Sequence, residues 1–264
     1  MSRFLLPLGG LAIAIAVTTA LDANGLTMWS ALPLLPLGTL LWWLERIPRR
    51  DMGLVWGRGR DYGLAVLYPV AVLGVVTAIA MSLGGAHLDP GREPKMLLNL
   101  ALMGTLGIPM AIFTEEGFFR GWLWASLSRR GLSAARVLVV TSLAFAIWHL
   151  SYVTLAKGFI LPPAQVVLFI ANATVIGAIW GTIRLISRSI VVTGVSHALW
   201  NAGAYAIYGE GPKPGAFGTI DTLIFGPEIG LVGFILNSLF LAVLYIWSTR
   251  SRRPNHAQPQ RAGT

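Results

Sequence analysis

Glu115 and Glu116 stand side by side in an otherwise apolar stretch running from Leu97 to about Leu127, and Arg120 follows four residues after the second of them. His149 and His197 lie in two further apolar runs, His149 four residues after Phe145 and His197 four residues before Asn201. Nine of the eleven acidic residues fall in loops or at the ends of apolar runs, which leaves Glu115 and Glu116 as the exceptions. Arg120 is the single basic residue deep inside a run, Arg136 and Arg184 lying near the ends of theirs. Ionisable groups at membrane depth are costly and mark function by default. On a helix, Glu116 and Arg120 meet at i, i+4 with the acid first, the favourable order for an ion pair. Glu115, offset by about 100° from its neighbour, has no such local partner. If these faces meet, one free carboxylate, two imidazoles and one carboxamide surround a small polar cavity.

Such a set can hydrolyse an amide. The reaction needs a base of near-neutral pKa, and burial among apolar helices moves a carboxylate in that direction. Fixed donors in a dry cavity stabilise the tetrahedral oxyanion. Ser-His-Asp chemistry is disfavoured, because no Asp lies in a run to orient either imidazole, and Ser142 and Ser196 read as packing or backbone-bonding residues. Two other readings stay open. Intramembrane Asn172 and Asn237, and the Glu116–Arg120 pair, could serve as interhelical glue. The same ionisable groups could also form a proton relay in a transporter, although the inverted repeats and broken helices of that class are not seen.

The apolar runs define the elements that must position these residues. Only 12% of the 264 residues are charged and 55% are hydrophobic. That is about half the charge a soluble domain carries, so an ordinary soluble domain and a disordered chain are both excluded. The absence of Cys removes disulfides, thiolate nucleophiles and Cys-ligated metals. Eight runs are long enough to span a bilayer: Phe4–Leu21, Leu26–Leu44, Tyr62–Ala86, Leu97–Leu127, Leu132–Tyr152, Pro163–Ile186, Ile190–Tyr208 and Ile229–Trp247. They lack the alternation of barrel strands. The fold class predicted is therefore all-α, a polytopic membrane helix bundle of about eight transmembrane helices. The fourth run is longer than a span needs, and Pro109 and Gly117 predict a break there. Gly177 and Gly181 predict a close helix-packing face. Trp42, Trp43, Trp56, Trp122 and Trp247 read as interfacial belts.

Charge orients the bundle. Counted by alternating loops, fifteen Lys and Arg fall on the side of both termini and four on the other. The positive-inside rule then makes both termini cytoplasmic. The net charge of +9 is thus topological, and a nucleic-acid partner falls away. A cleaved signal peptide at the first run is disfavoured, since removal would leave seven spans with the N-terminus outside. Residues 1–250 are expected to form a single transmembrane helical domain, with 251–264 a basic, disordered cytoplasmic tail.

Three motifs carry a family resemblance. Glu115-Glu116-Gly117-Phe118-Phe119-Arg120-Gly121 resembles the Glu-Glu-x-x-x-Arg motif of the CAAX prenyl protease 2 and bacteriocin-processing (CPBP, or ABI) family of intramembrane proteases. Phe145-Ala146-Ile147-Trp148-His149 resembles its Phe-x-x-x-His motif, and His197-Ala198-Leu199-Trp200-Asn201 its His-x-x-x-Asn motif. All three occur in order on separate runs, and the resemblance covers about residues 97–205. It implies an intramembrane endopeptidase in which Glu115 and His149 activate a water, His197 and Asn201 steady the oxyanion, and Glu116 with Arg120 supports them. The implied partners are the bilayer and a peptide or membrane-protein substrate, possibly prenylated. The implied location is the cell membrane, multi-pass. Because members are also associated with bacteriocin self-immunity, the alternative is a non-catalytic immunity or scaffold protein on the same helices.

Metal dependence is a separate question. Glu115, His149 and His197 match the ligand count of a catalytic zinc with one open position. Zinc at Glu115 would leave Glu116 as base, and Glu116 is already matched to Arg120; nor do the histidines share a His-x-x-x-His helix. The expectation is catalysis with no required cofactor, one zinc being the alternative.

Overall fold

The computed structural model describes residues 2–210, 213–219 and 221–250. The fold is 77% helical, with strands of only two or three residues. The helices are α1 (Leu5–Ala23), α2 (Leu34–Glu45), α3 (Gly59–Ser82), α4 (Glu93–Arg129), α5 (Ala134–Trp148), α6 (Pro163–Ser187), α7 (Ile190–Ile207) and α8 (Leu231–Arg250). Each lies on one of the eight apolar runs. The expected tail, 251–264, lies outside the described residues.

Among the described residues, seven helical segments are long and apolar enough to cross a membrane, the second of them running from Thr27 through the end of α2 at Glu45. The exception is α7, whose apolarity is diluted by Thr193, Ser196, His197 and Asn201. It is nonetheless 18 residues long, about 27 Å at the α-helical rise, and it sits at the centre of the bundle. Large apolar side chains cover the outside instead: Leu8, Val70, Leu106, Val167 and Val243 are all exposed. This is the surface of an integral, multi-pass membrane protein.

Contacts sort the loops into two ends. At one end Arg130 donates to the carbonyl of Arg3, Arg129 to that of Glu45 (3.3 Å), and Arg184 to that of Asp51 (2.9 Å). At the other, Ala86–Leu88 pairs antiparallel with Phe217–Thr219, in register Ala86↔Thr219 and Leu88↔Phe217, and Arg92 donates to Gly215 O at 3.1 Å. The two groups match the rich and poor sides of the charge count.

The predicted break in the fourth run does not occur. α4 is one continuous helix of 37 residues, and its irregularity is taken up by a π-helical stretch, Ile112–Leu123, that begins just after Pro109. Local π adjustment can re-satisfy the backbone that a proline frees, so the helix need not open. Gly117 is required here, because a Cβ would lie 2.7 Å from the Ile112 carbonyl oxygen. Before the π stretch, Gly107 brings α7 close: a Cβ there would lie 3.4 Å from that of Ala198. Gly177 and Gly181 form the expected packing face, on α5, with a virtual Cβ at Gly181 only 2.4 Å from Leu138 Cδ1. One belt residue is a core residue instead. Trp122 is fully buried and donates to Glu45 Oε2 at 2.8 Å, whereas Trp43 and Trp56 are exposed.

Candidate active site

The π stretch of α4, the end of α5 and the middle of α7 deliver the ionisable residues to one point. Glu115 Oε2 lies 3.8 Å from His149 Nε2 and 3.7 Å from His197 Nε2. That oxygen is buried and has no hydrogen-bond partner among the described residues. Both imidazoles therefore present Nε2 to one unsatisfied carboxylate oxygen, at distances beyond a direct hydrogen bond.

The other ring nitrogens are spoken for. His149 closes α5 as its C-terminal cap, and its Nδ1 lies 2.9 Å from Phe145 O. A carbonyl can only accept, so Nδ1 carries the proton and Nε2 of the neutral ring carries the lone pair. His197 Nδ1 lies 3.0 Å from Glu116 Oε1. The His197 ring stacks on Trp180, centroids 4.0 Å apart, which fixes its plane.

Glu116 and Arg120 form the predicted ion pair. Arg120 donates to Glu116 Oε1 at 3.1 Å, and neither side chain has any exposure. A second guanidinium nitrogen donates to Gly177 O at 3.2 Å, and Cζ sits 4.2 Å above the Phe145 ring. The pair thus joins α4, α5 and α6 at the back of the site.

Asn201 lines the same cavity, one α-turn below His197, together with Glu115, His149 and His197. The cavity volume is about 70 Å³, room for a few ordered waters but far below the roughly 300 Å³ or more of a small-molecule pocket.

Sequence reasoning missed two contributions. Glu228, in the loop before α8, lines the cavity and accepts from Trp200 Nε1 at 2.8 Å. Its position outside every apolar run gave no signal. Asp22, at the end of α1, is fully buried and accepts from Ser151 Oγ at 2.7 Å. With Trp148 Nε1 donating to Thr18 Oγ1 (2.8 Å), it clamps α1 to both flanks of His149. Asn172 and Asn237 do act as glue: Tyr68 donates to Asn237, which donates to Asn172, at 2.8 and 3.0 Å. Ser142 bonds backbone at Leu138 O, as expected, while buried Ser196 Oγ has no partner among the described residues.

The zinc alternative concerns the same three side chains. Glu115, His149 and His197 supply suitable donors. Even so, among the described residues no group of three or more His, Asp or Glu is placed to hold a metal ion.

Fold and site together define a polytopic helical membrane protein with a buried acid–histidine cluster. Residues 97–203, from α4 to most of α7, match the family model described as Type II CAAX prenyl endopeptidase Rce1-like. The match falls on the segment that carries all three motifs, so this region is similar to a CAAX-type intramembrane protease. Comparison with curated proteins gives no match.

Proposed function

We propose that the protein is an intramembrane endopeptidase that hydrolyses a peptide bond in a membrane-associated or lipidated chain through a water held by Glu115 and His149. The observation that carries this reading is the unsatisfied Glu115 Oε2 facing two Nε2 atoms at 3.7 and 3.8 Å. A water between them would be polarised from two sides. His149 Nε2, bare while Nδ1 bonds Phe145 O, or the Glu115 carboxylate takes the proton as the water's oxygen attacks the scissile carbonyl. The proton then passes to the leaving amine, so the products are a carboxylic acid and an amine.

His197 and Asn201 stabilise the oxyanion. With Nδ1 donating to Glu116, His197 can donate from Nε2 only when both ring nitrogens carry protons. Every step uses side chains of this chain, and none is routed through a metal. Both ends of the described chain would face the cytoplasm, following the fifteen-to-four distribution of Lys and Arg.

The test is cleavage of a farnesylated, fluorescence-quenched peptide by purified protein in proteoliposomes. Wild type should cleave it after exhaustive chelation, while Glu115→Gln and His149→Ala should not. Activity lost to the chelator and restored by zinc would replace the metal-free mechanism. A wild type inert toward this peptide and toward unprenylated membrane peptides would favour the immunity or scaffold alternative.

A further inference from the structure

A cavity of about 1240 Å³ lies apart from the acid–histidine site. It lies at the arginine-rich end, between the start of α3, the end of α6 and the second half of α8. Arg50, Arg58, Arg60, Arg184 and Arg188 line it, together with one acid, Asp61. That acid is already occupied: Oδ2 accepts from the Arg58 backbone at 3.0 Å and Oδ1 lies 3.8 Å from Arg60. Most of the remaining wall is apolar and includes Leu64, Leu67, Phe240, Val243, Leu244 and Trp247, with Ser187 and Ser248 beside them. Leu67 and Val243 are 55% and 69% exposed, so this wall opens sideways onto the surface that faces lipid tails.

Arg188 adds an independent sign. It ends α6 at φ 59°, in the left-handed region, where glycine is the usual residue. The position keeps a guanidinium at the cavity against the preference of the backbone. At the back wall, Arg184 donates to the carbonyls of Asp51 (2.9 Å) and Arg120 (3.3 Å) and is structurally committed. Arg58, Arg60 and Arg188 are exposed.

We infer that this cavity binds one anionic phospholipid, its phosphate among Arg58, Arg60 and Arg188 and one acyl chain along Leu64, Leu67 and Val243. An uncompensated cluster of guanidinium groups needs an anion, and basic pockets between membrane helices suit phosphate headgroups. The apolar lateral wall needs a hydrocarbon chain, which a free phosphate lacks. The chain's own segment 251–264 is a poor occupant, because it carries three arginines and no acidic side chain.

The test is native mass spectrometry of the full chain in detergent, titrated separately with palmitoyl-oleoyl phosphatidylglycerol and the matching phosphatidylcholine. Wild type should take up one phosphatidylglycerol at least about tenfold more tightly than phosphatidylcholine. The triple variant Arg58→Gln, Arg60→Gln, Arg188→Gln, which spares Arg184, should bind phosphatidylglycerol about a hundredfold more weakly. Val243→Trp, with every arginine intact, should also weaken it by narrowing the apolar wall. Equal uptake of the two lipids, retention of the preference in the triple variant, or undiminished phosphatidylglycerol binding in Val243→Trp would overturn the site. Displacement of phosphatidylglycerol by millimolar inorganic phosphate alone would make it a soluble-anion site instead.

Discussion

His197 Nδ1 and Arg120 approach the same oxygen, Glu116 Oε1, at 3.0 and 3.1 Å. One buried carboxylate oxygen therefore sets the direction of a ring on α7 and neutralises a guanidinium that braces α5 and α6. Among the described residues Glu115 and Glu116 each keep a buried Oε2 with no hydrogen-bond partner, and that of Glu115 faces the Nε2 atoms of His149 and His197. Two neighbouring residues of one type thus come to differ in surroundings, Glu116 as a strut between helices and Glu115 facing the two imidazoles, where the proposed function makes it the reactive acid.

Removing the strut's partner should cost stability. Arg120→Ala leaves Glu116 charged at zero exposure, a loss of about 3–5 kcal/mol for a broken buried pair. Unfolding in detergent micelles should show it, with activity falling in parallel. Lost activity at unchanged stability would instead place Arg120 on the substrate.

The π stretch should be exacting at Gly117. A methyl there meets the Ile112 carbonyl at 2.7 Å, whereas at Gly121 it meets the flexible tip of Met52 at 3.2 Å. Gly117→Ala should cost about 1–3 kcal/mol. It should also lower turnover by about tenfold or more, because Glu115 lies two residues away. Gly121→Ala should be mild. Equal effects of the two would show that the π geometry does not position the acid.

Asp22 offers a test remote from the reacting groups. Ser151→Ala removes the hydroxyl that Asp22 Oδ2 accepts from, and Oδ1 already has no partner among the described residues. Stranding that buried carboxylate should cost about 1–3 kcal/mol and reduce kcat more than it raises KM, since the clamp flanks His149. Ser151→Thr, which restores a hydroxyl, should recover part of both. An unchanged melting temperature in Ser151→Ala would remove the clamp.

Asn201 lines the cavity beside His197. As an oxyanion donor it should be worth about 10²–10³ in rate, so Asn201→Ala should fold normally and turn over that much more slowly. Full activity would take it out of the mechanism.

The apolar runs made the helices legible because lipid exposure demands long uninterrupted hydrophobicity, and Glu115, Glu116, Arg120, His149 and His197 were legible because they violate it. The second partner of Glu116 was not: Glu116 and His197 are 81 residues apart, and the packing of α7 on α4 joins them. Pro109 signalled an irregularity but not its kind, since a break and a π turn both relieve a missing N–H. Asp22 and Glu228 sit at helix ends or in loops, where acids are ordinary, and they became notable only once burial was known. Trp122 shows the converse, an aromatic whose sequence position suggested the interface and whose partner, Glu45, drew it into the core.

The central claim is that Glu115 supports hydrolysis within the membrane, and it can be tested before any substrate is known. Membranes carrying wild type or Glu115→Gln at equal levels are incubated in ¹⁸O-water, and new protein C-termini are sequenced by mass spectrometry. The account predicts a set of membrane-associated C-termini bearing one ¹⁸O in the new carboxylate with wild type and absent with Glu115→Gln. The same labelled termini from both proteins, or none from either, would contradict it.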